Sequence, residues 1–169
     1  SCSVTPAHLY FTDEDLRTYN TNLKLFPPLR TAAEKELLKE AVVSGAVDCI
    51  ATHHLPHEYD SKVCEFQEAK FGMIGLETCY GAVGAALGDV LTAQRWVELI
   101  SINPRHIAGL QIPSIKEELP ANVTIFDPAA TYTFEEKDVR SKSRNSAFIG
   151  KALKGKAVAV INNNQIQIN

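Results

Sequence analysis

No cluster of lysines and arginines marks this sequence. Its 17 Lys plus Arg are outweighed by 20 Asp plus Glu, for a formal net charge of -3. A nucleic-acid role, which usually rests on a basic stripe, is not expected. No apolar stretch approaches the roughly 18 residues a membrane span needs. The opening SCSVTPAHLY has neither a basic start nor a long apolar centre, so it does not read as a signal peptide. The four cysteines, Cys2, Cys49, Cys64 and Cys79, have no C-x-x-C spacing. Cys49 lies in an apolar run and reads as a small buried hydrophobe. A reduced, cytoplasmic chain is the simplest expectation. Nucleophile-elbow and P-loop patterns are missing, and the glycines from Gly81 to Gly88 are not spaced as a phosphate cradle. There is no internal repeat.

What is present is an ordinary globular mix, 45% apolar and 22% charged over 169 residues, long enough for a domain with a real core. The stretch that organises the chain is Val47 to His57, VDCIATHHLPH: a short apolar run ending in three histidines. A buried strand delivering imidazoles at its C-terminal end is how a (β/α) barrel presents its chemistry. Thr31 and Glu34 have the spacing of a capping box and open a helix with Leu37, Leu38, Ala41 and Val42 on one face, stopped by Gly45. That helix followed by the strand Val47 to Ala51 is an αβ unit of a parallel α/β fold.

Around this unit the chain reads in order. Ser1 to Tyr10 is the end of a strand with His8 near its exit, and Thr12 with Asp15 caps a short helical turn. Lys24 to Arg30, KLFPPLR, is a short strand running into a rigid loop, because two prolines forbid regular helix. His53 to Met73 is a long polar loop without periodicity, a length often associated with function. Ile74 to Leu87 is a helix rich in small residues. Leu91 to Ile102 is an amphipathic helix with Ala93, Trp96, Val97 and Ile100 on one stripe, broken at Asn103-Pro104, with one more helical turn in Arg105 to Leu110. Trp96 is read as core. After Pro113 the character turns to β: a strand at Ala121 to Phe126 ended by Asp127-Pro128, and a β-prone Thr131 to Phe134. The basic Val139 to Gly150 reads as a solvated loop. The strands Ala157 to Ile161 and Gln165 to Ile168 are joined by a turn at Asn162 to Asn164. The expected division is 1–112, an α/β part, and 113–169, a small β segment.

Imidazole is the commonest transition-metal ligand and an acid/base near neutral pH, so His53, His54 and His57 are the candidates for chemistry. Pro56 lies between His53 and His57, so their spacing is not that of a helical zinc motif. A loop whose histidines bond to backbone is the competing reading, weighed equally. His8 and His106 are the other imidazoles, and His106 is read as surface or packing. Asp13, Glu14, Asp15, Glu117 and Glu118 fall on solvated turns.

Five motifs in order resemble the C-terminal portion of a class I dihydroorotase of the amidohydrolase superfamily. They are VTPAHLYFTDEDL from Val4, NLKLFPPLR from Asn22, IATHHLPH from Ile50, FGMIGLET from Phe71, and NVTIFDP from Asn122 with SRNSAFIGKALKGKAVAVINN after it. The resemblance implies the last strands and helices of a (β/α)8 TIM-type barrel, which needs about 250 residues when complete, followed by part of a small C-terminal β domain. The implied activity is interconversion of N-carbamoyl-aspartate and dihydroorotate at a zinc centre, a hydrolysis of a cyclic amide. Most of the metal ligands would lie outside this chain, and the isolated chain is expected to be inactive. The family's catalytic aspartate falls at His53, which becomes the candidate catalytic residue and metal ligand. Its substrate-contacting asparagine falls at Phe26, and Ala7 replaces the first of a histidine pair. His57 matches a histidine that contacts the substrate carboxylate, and Phe71 and Gly72 match a loop whose backbone meets the substrate ring. Two losses in one site point to decay of activity. The alternative implied by the resemblance is a non-catalytic dihydroorotase-like subunit scaffolding a partner such as aspartate transcarbamoylase. An incomplete barrel exposes strand edges and apolar helix faces, so a homo-oligomer or a covering partner chain is expected.

Overall fold

A computed structural model describes residues 1–162 and 165–169. Two parallel strands form its α/β part, β1 (Ser3–Val4) and β2 (Cys49–Ile50), in the register Ser3 to Cys49 and Val4 to Ile50. Helix α1 (Pro6–Tyr10) follows β1 directly. Thr5 caps it by accepting the His8 N–H, and Pro6 occupies the first turn, where a missing N–H costs nothing. Helix α2 (Ala32–Ser44) carries the full capping box of Thr31 and Glu34 and ends at Gly45 with φ +92°. The αβ unit read from the sequence is therefore present. Its buried face is narrower than expected: Val42 is buried and Leu38 and Ala41 pack partly, but Leu37 is 63% exposed. Leu37 lies about 100° around the helix from Leu38, which turns it away from the core.

Helix α3 (Cys79–Leu87) lies against the antiparallel sheet of β3 (Val123–Thr133), β4 (Ala152–Asn162) and β5 (Gln165–Ile168), in that order. A Cβ on Gly84 would sit 1.9 Å from the Lys154 carbonyl oxygen, so glycine sets how closely α3 meets β4. One apolar cluster joins Ala7, Phe11, Leu25, Ile74, Phe134, Phe148 and Leu153. A second joins Val4, Leu9, Val42, Ile50, Val83, Trp96 and Leu99. Trp96 is buried as expected.

Several boundaries differ from the sequence reading. Lys24 to Arg30 is not a strand but an irregular loop containing a cis Phe26–Pro27 bond. Pro104 does not break its helix. The chain runs from α4 (Ala93–Val97) through a π segment (Glu98–Ile102) into α5 (Asn103–Ile107), where Pro104 falls in the first turn and needs no N–H partner. Val97, placed on the buried stripe by the sequence, is exposed, and Leu99 is buried instead. Asp127-Pro128 does not end β3. The strand continues past a register shift, with Asp127 Oδ1 accepting from the Ala129 and Ala130 N–H groups. Within Val139 to Gly150, read as solvated, the stretch Asn145 to Phe148 is buried. The β4–β5 hairpin forms with Asn162 opposite Gln165, while the Asn163 and Asn164 of its expected turn lie outside the described residues. Among the described residues no helix is long and apolar enough to cross a membrane.

Candidate functional site at the strand ends

Beyond the C-terminal ends of β1 and β2 lies a cavity of about 320 Å³. Its walls include Thr5, Ala7, His8, Leu25, Phe26, His53, His54, Leu55, Phe71 and Gly72. Among the described residues no carboxylate lines it. Its location follows from the fold: strand ends are where side chains from different αβ units converge.

Each imidazole here has a defined setting. His8, on α1, accepts at Nδ1 from the Thr5 hydroxyl (2.6 Å) and donates from Nε2 to the Pro27 carbonyl (2.9 Å). Burial, then the neighbouring His53, push its pKa below the usual histidine value, against the pull of the Pro27 carbonyl. His54 accepts at Nδ1 from the Gly75 and Leu76 N–H groups at 3.1 and 3.3 Å, which places a neutral ring's proton on Nε2. His53 is exposed and holds φ +45°, a left-handed conformation uncommon outside glycine. His57 does not line the cavity. Its Nε2 donates to the Phe71 carbonyl at 2.8 Å, so this ring nitrogen supports the cavity wall from behind.

Of the residues singled out in the sequence, His53, Phe71 and Gly72 meet at the cavity and His57 stands one layer back. Phe26 and Phe71 form an edge-to-face pair at its mouth, ring centroids 5.9 Å apart, with 74% and 49% of their surface exposed. The Lys24 ammonium lies 4.9 Å from the Phe71 ring centre. Gly72 adopts φ +97°, and a Cβ there would lie 2.4 Å from Leu55 Cδ1. Backbone and packing both require glycine at this point.

Sequence reading missed the residues that hold this wall together. Asn145, buried, accepts the His57 N–H at Oδ1 (3.2 Å) and donates from Nδ2 to the Leu55 carbonyl (2.9 Å) and more weakly to that of Gly72 (3.5 Å). Its own carbonyl takes the Ile74 N–H. Ser143 lies against both the His57 carbonyl and Asn145 Oδ1. Lys62, 5% exposed, donates to three backbone carbonyls. The signal available was a run of Ser, Arg and Asn in a basic segment, which by composition reads as solvent.

Zinc, the metal implied by the resemblance, takes three or four protein ligands. Among the described residues no three His, Cys, Asp or Glu side chains come together. Both His8 nitrogens and the Nδ1 of His54 already have partners. The described residues by themselves do not fit a zinc centre, and His53 remains a single candidate ligand.

No family model matches the chain. Many curated dihydroorotases do, and two of them illustrate the likeness. That of Chlorobaculum tepidum is 39% identical over 170 residues, covering 98% of this chain and 39% of that protein. That of Geobacter metallireducens is 40% identical over 162 residues, covering 95% and 38%. Among solved structures, the L-hydantoinase (dihydropyrimidinase) of Arthrobacter aurescens superposes with a TM-score of 0.89 at 22% identity, over 99% of this chain and 40% of that one. The inactive dihydroorotase-like domain of the Chaetomium thermophilum CAD-like multifunctional protein gives 0.64 at 19%, over 98% and 43%. The chain thus has the fold of about two fifths of these barrel proteins, and over nearly its whole length its sequence is similar to dihydroorotases, of which it spans about two fifths of a relative's length.

Proposed function

We propose that this chain forms part of a dihydroorotase-like protein whose strand-end cavity no longer supports efficient hydrolysis of a cyclic amide. One observation carries the reading: Phe26 and His53 both line the cavity, at the positions where the resemblance expects an amide and a carboxylate. Phenylalanine cannot hydrogen-bond a ring amide. Histidine moves protons but supplies neither negative charge nor carboxylate geometry. Loss of a general base typically removes about 10²- to 10⁴-fold in rate. The inactive dihydroorotase-like domain from Chaetomium offers a precedent for retaining the fold without the reaction. On this reading the parent protein serves a partner, for which the resemblance names aspartate transcarbamoylase.

A second reading keeps the enzyme, with His53 as the proton carrier. It draws support from the position of His53 beside His8, whose pKa it lowers, and from its having no hydrogen-bond partner among the described residues.

Zinc content and dihydroorotate hydrolysis of the full-length parent, beside its His53→Asp/Phe26→Asn double variant, separate the two. The expected result is a parent at least about 10²-fold slower than a dihydroorotase assayed in parallel, consistent with a lost base. A parent turning over dihydroorotate at the control rate, with zinc bound, overturns the proposal in favour of the second reading.

A further inference from the structure

The strand-end cavity has one wall whose rigidity comes from an unexpected source. Lys62 sits in the polar loop read from the sequence, yet it is almost fully buried. Its ammonium donates to the carbonyls of Thr21 (2.8 Å), Lys70 (2.7 Å) and Gly72 (2.9 Å). It makes no salt bridge among the described residues. The other charged or thiol groups that act on it are Lys24 and Cys64. Burying a lone ammonium is costly, and packing alone would be served as well by methionine.

The pattern of acceptors supplies a reason. Lys70 and Gly72 flank Phe71, and the Phe71 carbonyl itself accepts from His57 Nε2. Three successive carbonyls are therefore held by side chains. From this held backbone the Phe71 ring extends towards Phe26 and the cavity mouth. The third acceptor, Thr21, ties the same ammonium to the segment that leads into Lys24, whose carbonyl takes the Gly72 N–H at 2.8 Å.

We propose that Lys62 is the positioning residue of this site: by holding the carbonyls on both sides of Phe71 it fixes the Phe26–Phe71 aromatic gate at the cavity mouth. This rests on the cavity being the protein's binding site, but the test reads the Phe71 ring itself and so succeeds or fails separately from any turnover assay.

The experiment places 4-fluorophenylalanine at position 71 of the full-length protein and follows its fluorine resonance in wild type, Lys62→Met and Asn145→Ala. In wild type one narrow line is expected, displaced from that of the unfolded protein by the Phe26 ring. In Lys62→Met the line should move at least halfway to the unfolded position or split into exchanging forms, while circular dichroism stays native. Asn145→Ala controls for general weakening, since it loosens the Gly72 side of the wall but leaves the Lys70 carbonyl held. Its line should move less than that of Lys62→Met at equal loss of melting temperature. If Lys62→Met leaves the Phe71 line in place, or if the two variants shift it equally at matched stability, Lys62 only stabilises the loop and the proposal fails. Should Lys62→Met not fold, Lys62→Gln provides the readout: it reaches at most two of the three carbonyls, and an unmoved line again refutes the role.

Discussion

At residue scale, two positions around the cavity have costs that follow from their backbone and burial. Gly72→Ala must place a Cβ where Leu55 already stands, at φ +97°. A loss of about 2 kcal/mol or more is expected, visible as a lowered urea midpoint with an unchanged slope. Lys62 links stability to pH. Burial, then Lys24, lowers its pKa from 10.5 to about 8. Between those values the unfolded chain holds the proton and the native state releases it, so this group's contribution to stability rises as pH climbs from about 8 to 10.5. Below pH 8 the full cost of the buried charge is present. The melting temperature of wild type relative to Lys62→Met should increase across that window; a flat difference would show that the lysine keeps its ordinary pKa, and a falling one that folding raises it. Neither effect is written in the sequence at these positions. Lys62 appears as one more charge in a polar loop, because its partners are backbone carbonyls between 8 and 41 residues away. His53 was legible as a site residue, since a run of histidines after an apolar strand points to a strand end whatever the details.

Individual elements were readable where the signal was local. The capping box of Thr31 and Glu34 and the stop at Gly45 bound α2 within a residue, because caps satisfy backbone groups of the same few residues. Thr31→Ala should cost about 1 kcal/mol by removing the hydroxyl that accepts from the Glu34 N–H, measurable by thermal unfolding. Pro104 was misread because a proline's effect depends on the register of the helix it enters, and the π segment before it changes that register. The buried stretch Asn145 to Phe148 was misread because side-chain bonds to distant backbone leave no periodicity. The α3–β4 contact gives a stronger prediction. Gly84→Ala would set a methyl 1.9 Å from the Lys154 carbonyl oxygen and push helix and sheet apart, at about 2–3 kcal/mol. An unchanged denaturation midpoint would mean that the two layers slide freely.

On the scale of the whole molecule, β1 and β2 pair only with each other among the described residues, and β5 closes its sheet with Ile166 and Ile168 exposed. Such edges recruit further strands. Sedimentation of this 169-residue chain should show a mass that rises with concentration, and Ile166→Lys/Ile168→Lys should lower it. A concentration-independent monomer would show that the edge is already protected. The bonds of Asn145 carry a different consequence, one of timing. They reach Leu55 and His57 across 90 and 88 residues of chain. As the ribosome delivers the polypeptide from its N-terminus, the histidine segment emerges long before the residue that will hold it. Contacts so distant along the chain form slowly. Until then Phe11 and Ile74, which share a buried cluster with Ala147 and Phe148, stand open to solvent and to other nascent chains, and a chaperone has its clearest reason to bind in that interval.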